Sequence, residues 1–232
     1  MSPFLMNGAF FMEKKLISWS GGKDALMALQ SCLQSELKSN IKLFSILKSE
    51  EIAFHGVSSI LIEAQARAMQ IPLDFIETEG LGYEDVLSKY LVQQSAHDYS
   101  QIYFGDIALE DLKVYKESLY QSDEFKLNFP LWKKDSISLM QQFIDRGNEA
   151  IIVSCIPELK DFCGASIDEY FLQHFPTHLD ACGERGEYHT FVTNAPEFNQ
   201  AITLQREEIK FHEFETKGLA YEGYFYQKLS LV

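Results

Sequence analysis

Over the first 120 residues the chain alternates between two hydrophobic periods. Lys15-Leu16-Ile17-Ser18-Trp19 is a short apolar run ending at Gly21-Gly22, and behind it Ala25, Leu26, Ala28, Leu29, Cys32 and Leu33 recur at helical spacing. The unit is strand, glycine turn, helix, and it repeats. Residues 41–47 predict a strand, and Val57, Ile60, Leu61, Ala64 and Ala68 predict one helix face. Ile71-Pro72 introduces a strand at 73–76, residues 83–95 predict a helix, and 101–104 predict a strand stopped by Gly105. Leu109, Leu112, Tyr115 and Leu119 then mark a helix over 109–120. Strands joined by helices in this way must cross over, which predicts a Rossmann-like, doubly wound parallel sheet covered on both faces.

Past the polar stretch Gln121-Ser122-Asp123-Glu124 the pattern loosens. Ile137, Met140, Phe143 and Ile144 mark another helix, and residues 150–156 form an unbroken apolar strand. From Ile202 the pattern mostly alternates, through Ile209 and Phe211 to Tyr224 and Tyr226, and it predicts a β-rich tail with a hairpin across Lys217-Gly218. The change near residue 122 divides the chain into a domain over 13–121 and a smaller mixed α/β domain over 125–232. With 232 residues, 46% of them hydrophobic, and 18 Phe and 11 Tyr, there is apolar area for a core without disulfide or metal staples.

Charge narrows the partners. The 20 basic and 34 acidic residues give a net charge of −14, a field that repels nucleic-acid backbones. A polyanionic ligand would have to be held by backbone N–H groups, a few placed cations and a divalent ion. Cys32, Cys155, Cys163 and Cys182 form no CxxC pair, and Cys163 and Cys182 with His174 and His178 match no zinc spacing. The opening MSPFLMNGAFFM lacks a basic segment before a long apolar run, and no window has the roughly 18 apolar residues of a membrane span, so the expectation is a cytoplasmic protein with no membrane partner. Met12 is a second candidate start, leaving residues 1–11 either as an extension or as an arm packing Phe4, Phe10 and Phe11.

The segment richest in chemistry is Ser20-Gly21-Gly22-Lys23-Asp24, between a buried strand and a helix N-terminus. Two glycines there permit backbone angles that expose successive N–H groups as an anion nest, reinforced by the helix dipole. Lys23 can reach a phosphate, Ser20 can donate its hydroxyl, and Asp24 can cap the helix or hold Mg²⁺. The string is neither a G-x-x-x-x-G-K-[ST] loop nor a G-x-G-x-x-G fingerprint. It resembles the SGGxDS signature of PP-loop ATP pyrophosphatases, with Ala25 where that signature ends in Ser.

Further segments narrow the resemblance. Phe104-Gly105-Asp106-Ile107 through Leu109-Glu110-Asp111-Leu112, then Pro130-Leu131-Trp132, and then 182–192 with Gly183-Glu184-Arg185-Gly186-Glu187-Tyr188-His189-Thr190 are similar, in order, to the motifs of the diphthine-ammonia ligase family. That resemblance implies an adenine-nucleotide α-hydrolase-like domain that binds ATP. It also implies a reaction in which the diphthine carboxylate of an elongation factor is adenylated and then amidated by ammonia, leaving AMP and pyrophosphate. The Phe-Gly-Asp-Ile form of the middle motif resembles the branch found in organisms without diphthamide, which implies a small carboxylic acid as the acceptor.

Asp106 lies at the carboxyl end of a predicted parallel strand, where open α/β sheets bind ligands, although Asp there also serves as an N-cap. Glu184 and Glu187 can orient ammonium, take a proton or bind metal, and the sequence leaves the three open. His189 reads either as a base or as a strand histidine satisfied by hydrogen bonds. The expected site therefore has Ser20, Gly21, Gly22, Lys23 and Asp24 on ATP, with Mg²⁺ on Asp24. Asp106, Glu184 and Glu187 do the chemistry, and Gly105, Glu110, Gly183, His189 and Thr190 line the acceptor side. The alternative is a nucleotide-binding sensor of the same fold without turnover, which Ala25 motivates.

Overall fold

The computed structural model describes residues 13–48, 51–52, 56–78, 82–120, 125–214 and 221–232. The readings above for residues 1–12, for 121–124 and for the turn at Lys217-Gly218 lie outside the described residues. The chain opens with β1 (Lys14–Ser18), α1 (Lys23–Cys32) and β2 (Ile41–Lys48), followed by the short strands β3 (Glu51–Ile52) and β4 (Val57–Ser58). Then come α2 (Ser59–Met69), β5 (Leu73–Glu77), α3 (Tyr83–Ser95), β6 (Tyr99–Tyr103), α4 (Glu110–Tyr120) and β7 (Lys126–Asn128). Five strands pair in parallel in the order β5-β2-β1-β6-β7, and β3 and β4 add antiparallel at the end of β2.

The order follows from crossover sterics. The chain leaves β1 in one direction to β2 and β5, then returns to the other side of β1 for β6 and β7. The sheet's direction of growth thus reverses between β1 and β6, and a crevice opens at their carboxyl ends. The two central strands β1 and β2 carry neighbouring buried residues because both faces are covered. Leu16 and Ile17 are neighbours on β1 and both fully buried, yet Leu16 joins Phe44, Ile102 and Phe104 on one face while Ile17 joins Leu26, Leu29 and Leu43 on the other. Each such side chain contributes about 1.5–3 kcal/mol by leaving water.

The remainder is α5 (Ser136–Asp145), β8 (Glu149–Cys155), α6 (Glu169–His174), β9 (Tyr188–Asn194), β10 (Leu204–Glu213) and β11 (Gly223–Leu231). Its four strands form an antiparallel sheet in the order β10-β11-β8-β9. The alternating tail is the β10–β11 ribbon, and the run at 150–156 is β8. Two details depart from the sequence pattern. Val57 belongs to β4 and not to the helix face, and β7, too short to show a period, extends the first sheet beyond the polar stretch at 121–124.

One core runs across both sheets, since Leu26, Leu29 and Ile62 share a cluster with Val153, Phe191 and Val192. Helix α1 lies between the sheets and buries Lys23, Ala25, Leu26, Met27, Ala28, Leu29, Gln30 and Cys32, as a helix packed on both sides must. The junction is polar at one point. Gln65 on α2 is fully buried, accepts a hydrogen bond from Trp19 Nε1 at 3.0 Å, and donates to Gly21 O at 2.9 Å and Val192 O at 2.8 Å. Replacing Gln65 by Leu strands the Trp19 N–H and removes a donor from the Val192 carbonyl, and each unsatisfied buried group costs about 1–3 kcal/mol, while Gly21 O keeps the Val192 amide. We expect Gln65→Leu to lower unfolding free energy by about 2–3 kcal/mol, measured by urea denaturation; an unchanged midpoint would remove Gln65 as the junction.

Candidate functional site

The site starts where β1 ends. Gly21 has φ +80°, the left-handed region, and a Cβ there would lie 2.5 Å from Ile62 Cδ1, so only glycine fits. Its carbonyl accepts from Val192 N at 2.9 Å as well as from Gln65, which fixes the loop on the edge of β9. Gly22 has φ −89° and ψ 172°, ordinary extended backbone, so the expectation that both glycines require special angles holds only for Gly21.

Helix α1 begins with Leu26 N–H to Gly22 O at 3.1 Å, and the amides before it are the nest. Two of these have protein partners: Gly22 N–H meets Ser20 Oγ at 3.4 Å and Lys23 N–H meets Thr190 Oγ1 at 3.0 Å. The Lys23 side chain, only 2% exposed, turns inward. Its ammonium pairs with both oxygens of Asp24 at 3.0 and 2.9 Å, donates to the Cys182 carbonyl and lies 5.0 Å from the Tyr188 ring centroid. Burial disfavours the charge, but Asp24 chiefly outweighs it and holds the Lys23 pKa above the ordinary lysine value. Burial raises the Asp24 pKa against the pull of Lys23, and Asp180 and Asp106 add to the rise. The sequence aimed Lys23 at a phosphate; the structure engages its ammonium between the two halves of the chain.

The second wall comes from the end of β6. A Cβ on Gly105 would lie 2.7 Å from the Asp24 carbonyl carbon, so glycine lets this segment pack directly on the first turn of α1. Asp106, buried, holds Lys116 of α4 through both oxygens at 2.7 Å, and Lys116 Nζ lies 4.8 Å from the Phe104 ring centroid. Asp106 is therefore an ion-pair partner of α4 and not its N-cap.

The third wall is the loop before β9. Glu184 reaches across, and its Oε1 accepts from the amides of Ile107 and Ala108 at 2.9 Å each and of Leu109 at 3.3 Å. Burial raises the Glu184 pKa above the usual carboxylate value, and the Ala108 and Ile107 amides oppose that rise. Glu187 is 1% exposed, and its oxygens accept from Asp180 N at 3.1 Å and Arg185 N at 2.9 Å. It holds the loop's shape from within.

Together the three walls enclose a cavity of about 440 Å³. Of the expected residues, Ser20, Gly22, Lys23, Asp24, Gly105, Asp106, Gly183, Glu184, His189 and Thr190 line it. Gly21, whose carbonyl accepts from Val192 and Gln65, does not line it. Glu187 is turned into its own loop, and Glu110 is exposed on α4, 3.7 Å from Lys133, so neither lines the cavity. The wall also holds Ser18, Ala25, the apolar Leu109 and Leu112, and the cations Lys116 and Arg185. Leu109, Leu112 and Lys116 share one helical spacing, and Gln65 falls on the same stripe as Leu61, Ile62 and Met69. Both signals stand in the sequence, but neither says what the face meets.

Among the described residues no group of three or more His, Cys, Asp or Glu side chains is assembled for a metal. Mg²⁺ needs only one or two protein carboxylates when phosphates supply the rest. Asp24, with 32% of its side chain exposed at the cavity wall, fits that limited part. No helix among the described residues is long and apolar enough to cross a membrane.

Comparison with known proteins agrees in both halves. Residues 13–126 match the family model for the diphthamide synthase N-terminal domain, and residues 135–222 match that for the diphthamide synthase C-terminal domain. Similar relatives include the diphthine–ammonia ligases of Danio rerio, 23% identical over 83% of this chain and 87% of that one, and of Bos taurus, 23% identical over 83% of each chain. That of Homo sapiens is 22% identical, again over 83% of each.

The Glu184 contact yields a direct test. Glu184→Ala is expected to speed hydrogen exchange at the amides of Ile107, Ala108 and Leu109, whereas Glu184→Gln, whose carbonyl still accepts, keeps them protected. Equal exchange in the parent and the Ala variant would disprove the contact.

Proposed function

The chain belongs to the diphthamide synthase family, and from that premise we propose that it is an ATP-dependent ligase that adenylates a carboxylate and amidates it with ammonia, releasing AMP and pyrophosphate. The observation that carries this reading is the single cavity shared by the glycine loop at the β1–β6 crevice and by the loop at Glu184 with the start of β9 in the second sheet. The first belongs to nucleotide binding and the second to the acceptor.

In this reading the triphosphate lies on the first turn of α1, beside Ser18 and Ser20, with the helix dipole favouring its charge. Mg²⁺, held by Asp24 and the phosphates, would offset the negative charge on the departing pyrophosphate. The acceptor carboxylate attacks the α-phosphorus, the bond to pyrophosphate breaks, and ammonia then attacks the acyl carbon and releases AMP. Aligned donors and cations suffice for these steps without a protein nucleophile. Lys116 and Arg185 supply positive charge from the other walls. Asp106 sets the position of Lys116, and Glu184, with its raised pKa, takes the proton lost from nitrogen. Glu187 positions the loop, and Gly183 and His189 shape the acceptor pocket. The acceptor is either diphthine on an elongation factor or a small acid, and the chemistry is placed in the cytoplasm.

The test is AMP release from MgATP with a panel of carboxylic acids, with and without ammonium. Ammonium-dependent AMP is expected; AMP formation indifferent to ammonium would overturn amidation, and ATP binding without any turnover would favour the sensor. If Glu184 is the base, the rate falls as pH drops through its raised pKa. Glu184→Gln then loses about 100-fold or more in turnover together with that acid limb, and keeps its ATP affinity.

A further inference from the structure

The hydroxyl of Thr190 reaches the nest from the second sheet, whereas Ser20 reaches it from the loop itself. Thr190 belongs to β9, in the second sheet, yet its Oγ1 accepts the Lys23 N–H at 3.0 Å, inside the nest that opens α1. The residue is 3% exposed and lines the cavity. A hydroxyl has one proton to donate besides the lone pairs it offers. Among the described residues Thr190 Oγ1 accepts this one bond and donates none. The amide bond orients the oxygen at the first turn of α1, in a residue almost wholly buried at the cavity wall. What the arrangement lacks is an acceptor on the cavity side, and a phosphate oxygen is the acceptor that a helix N-terminus attracts.

We propose that Thr190 is a phosphate-binding residue of the nucleotide site, a hydroxyl donor lent to the glycine loop by the second sheet. This rests on the nucleotide reading above and moves Thr190 from the acceptor side to the ATP side. It also accounts for a first turn that carries no hydroxyl of its own at residue 25, since Ala25 lines the same cavity. Phosphate binding at the loop then depends on β9 being docked. Ordering the phosphate in turn tightens the contact between the sheets.

The experiment is calorimetric titration of the full chain with MgATP, for the parent, Thr190→Ser, Thr190→Val and Thr190→Val combined with Ala25→Ser, beside thermal melts without nucleotide. Thr190→Val keeps the shape and removes the hydroxyl, and should weaken MgATP by about tenfold or more, the scale of a charge-assisted hydrogen bond. Thr190→Ser should stay near the parent, and Ala25→Ser should restore much of what Thr190→Val loses. If Thr190→Val does not fold, Thr190→Ala makes the same comparison. Affinity within twofold of the parent, or a loss that only tracks a lower melting temperature and that Ala25→Ser leaves unrepaired, would overturn the assignment. A parent that does not bind MgATP would instead overturn the nucleotide reading itself, and this assignment with it.

Discussion

The buried ammonium of Lys23 is the interaction on which the arrangement of the site depends. An ammonium cannot leave water without compensation, and this one is compensated from two directions: by Asp24 on its own helix, and by the Cys182 carbonyl and the Tyr188 ring from the second half of the chain. The charge is tolerable only when both halves are in place. The polar junction at Gln65 works to the same end with neutral groups, binding the loop carbonyl of Gly21 and the strand carbonyl of Val192 to one amide. Between them these two side chains turn two sheets into one site.

This arrangement divides the work of the charged residues. In a chain of net charge −14, a triphosphate needs local positive charge. Lys23 and Lys116 line the cavity with their ammonium groups paired to Asp24 and Asp106, and Arg185 lines it from the loop before β9. The acids are similarly sorted. Glu187 serves its loop, Glu184 spans two walls, and Asp106 anchors Lys116.

Much of the fold was legible in the sequence because burial on both faces sets apolar residues at neighbouring positions, as at Leu16-Ile17 of β1 and Leu43-Phe44 of β2, and the helices between the strands keep a 3.6-residue period. β7 and α6 were not legible, having three and six residues, too few to show a period. The glycine loop could be located from Ser20 to Asp24, since strand, glycines and helix meet there. Its partners could not. Nothing local in Gln65, Lys116 or Thr190 says that a residue from another element will meet it, because those contacts are made by topology across 127, 10 and 167 positions of chain. For the same reason the sequence shows Lys23 only beside its neighbours in the glycine loop, and the packing of residues 182–188 adds the Cys182 carbonyl and the Tyr188 ring that meet its ammonium.

The docking of Gly21 on Val192 also bears on how the protein avoids sticking to itself. β9 is the outer strand of its sheet, and outer strands present unpaired amides that recruit other chains. Here the glycine loop and Gln65 cover Val192, so the edge is closed there by the protein's own N-terminal half. That half leaves the ribosome first. The cover it gives is complete only once β9 has docked, because the Lys23 ammonium beside the glycine loop needs Cys182 and Tyr188 from the same half as β9.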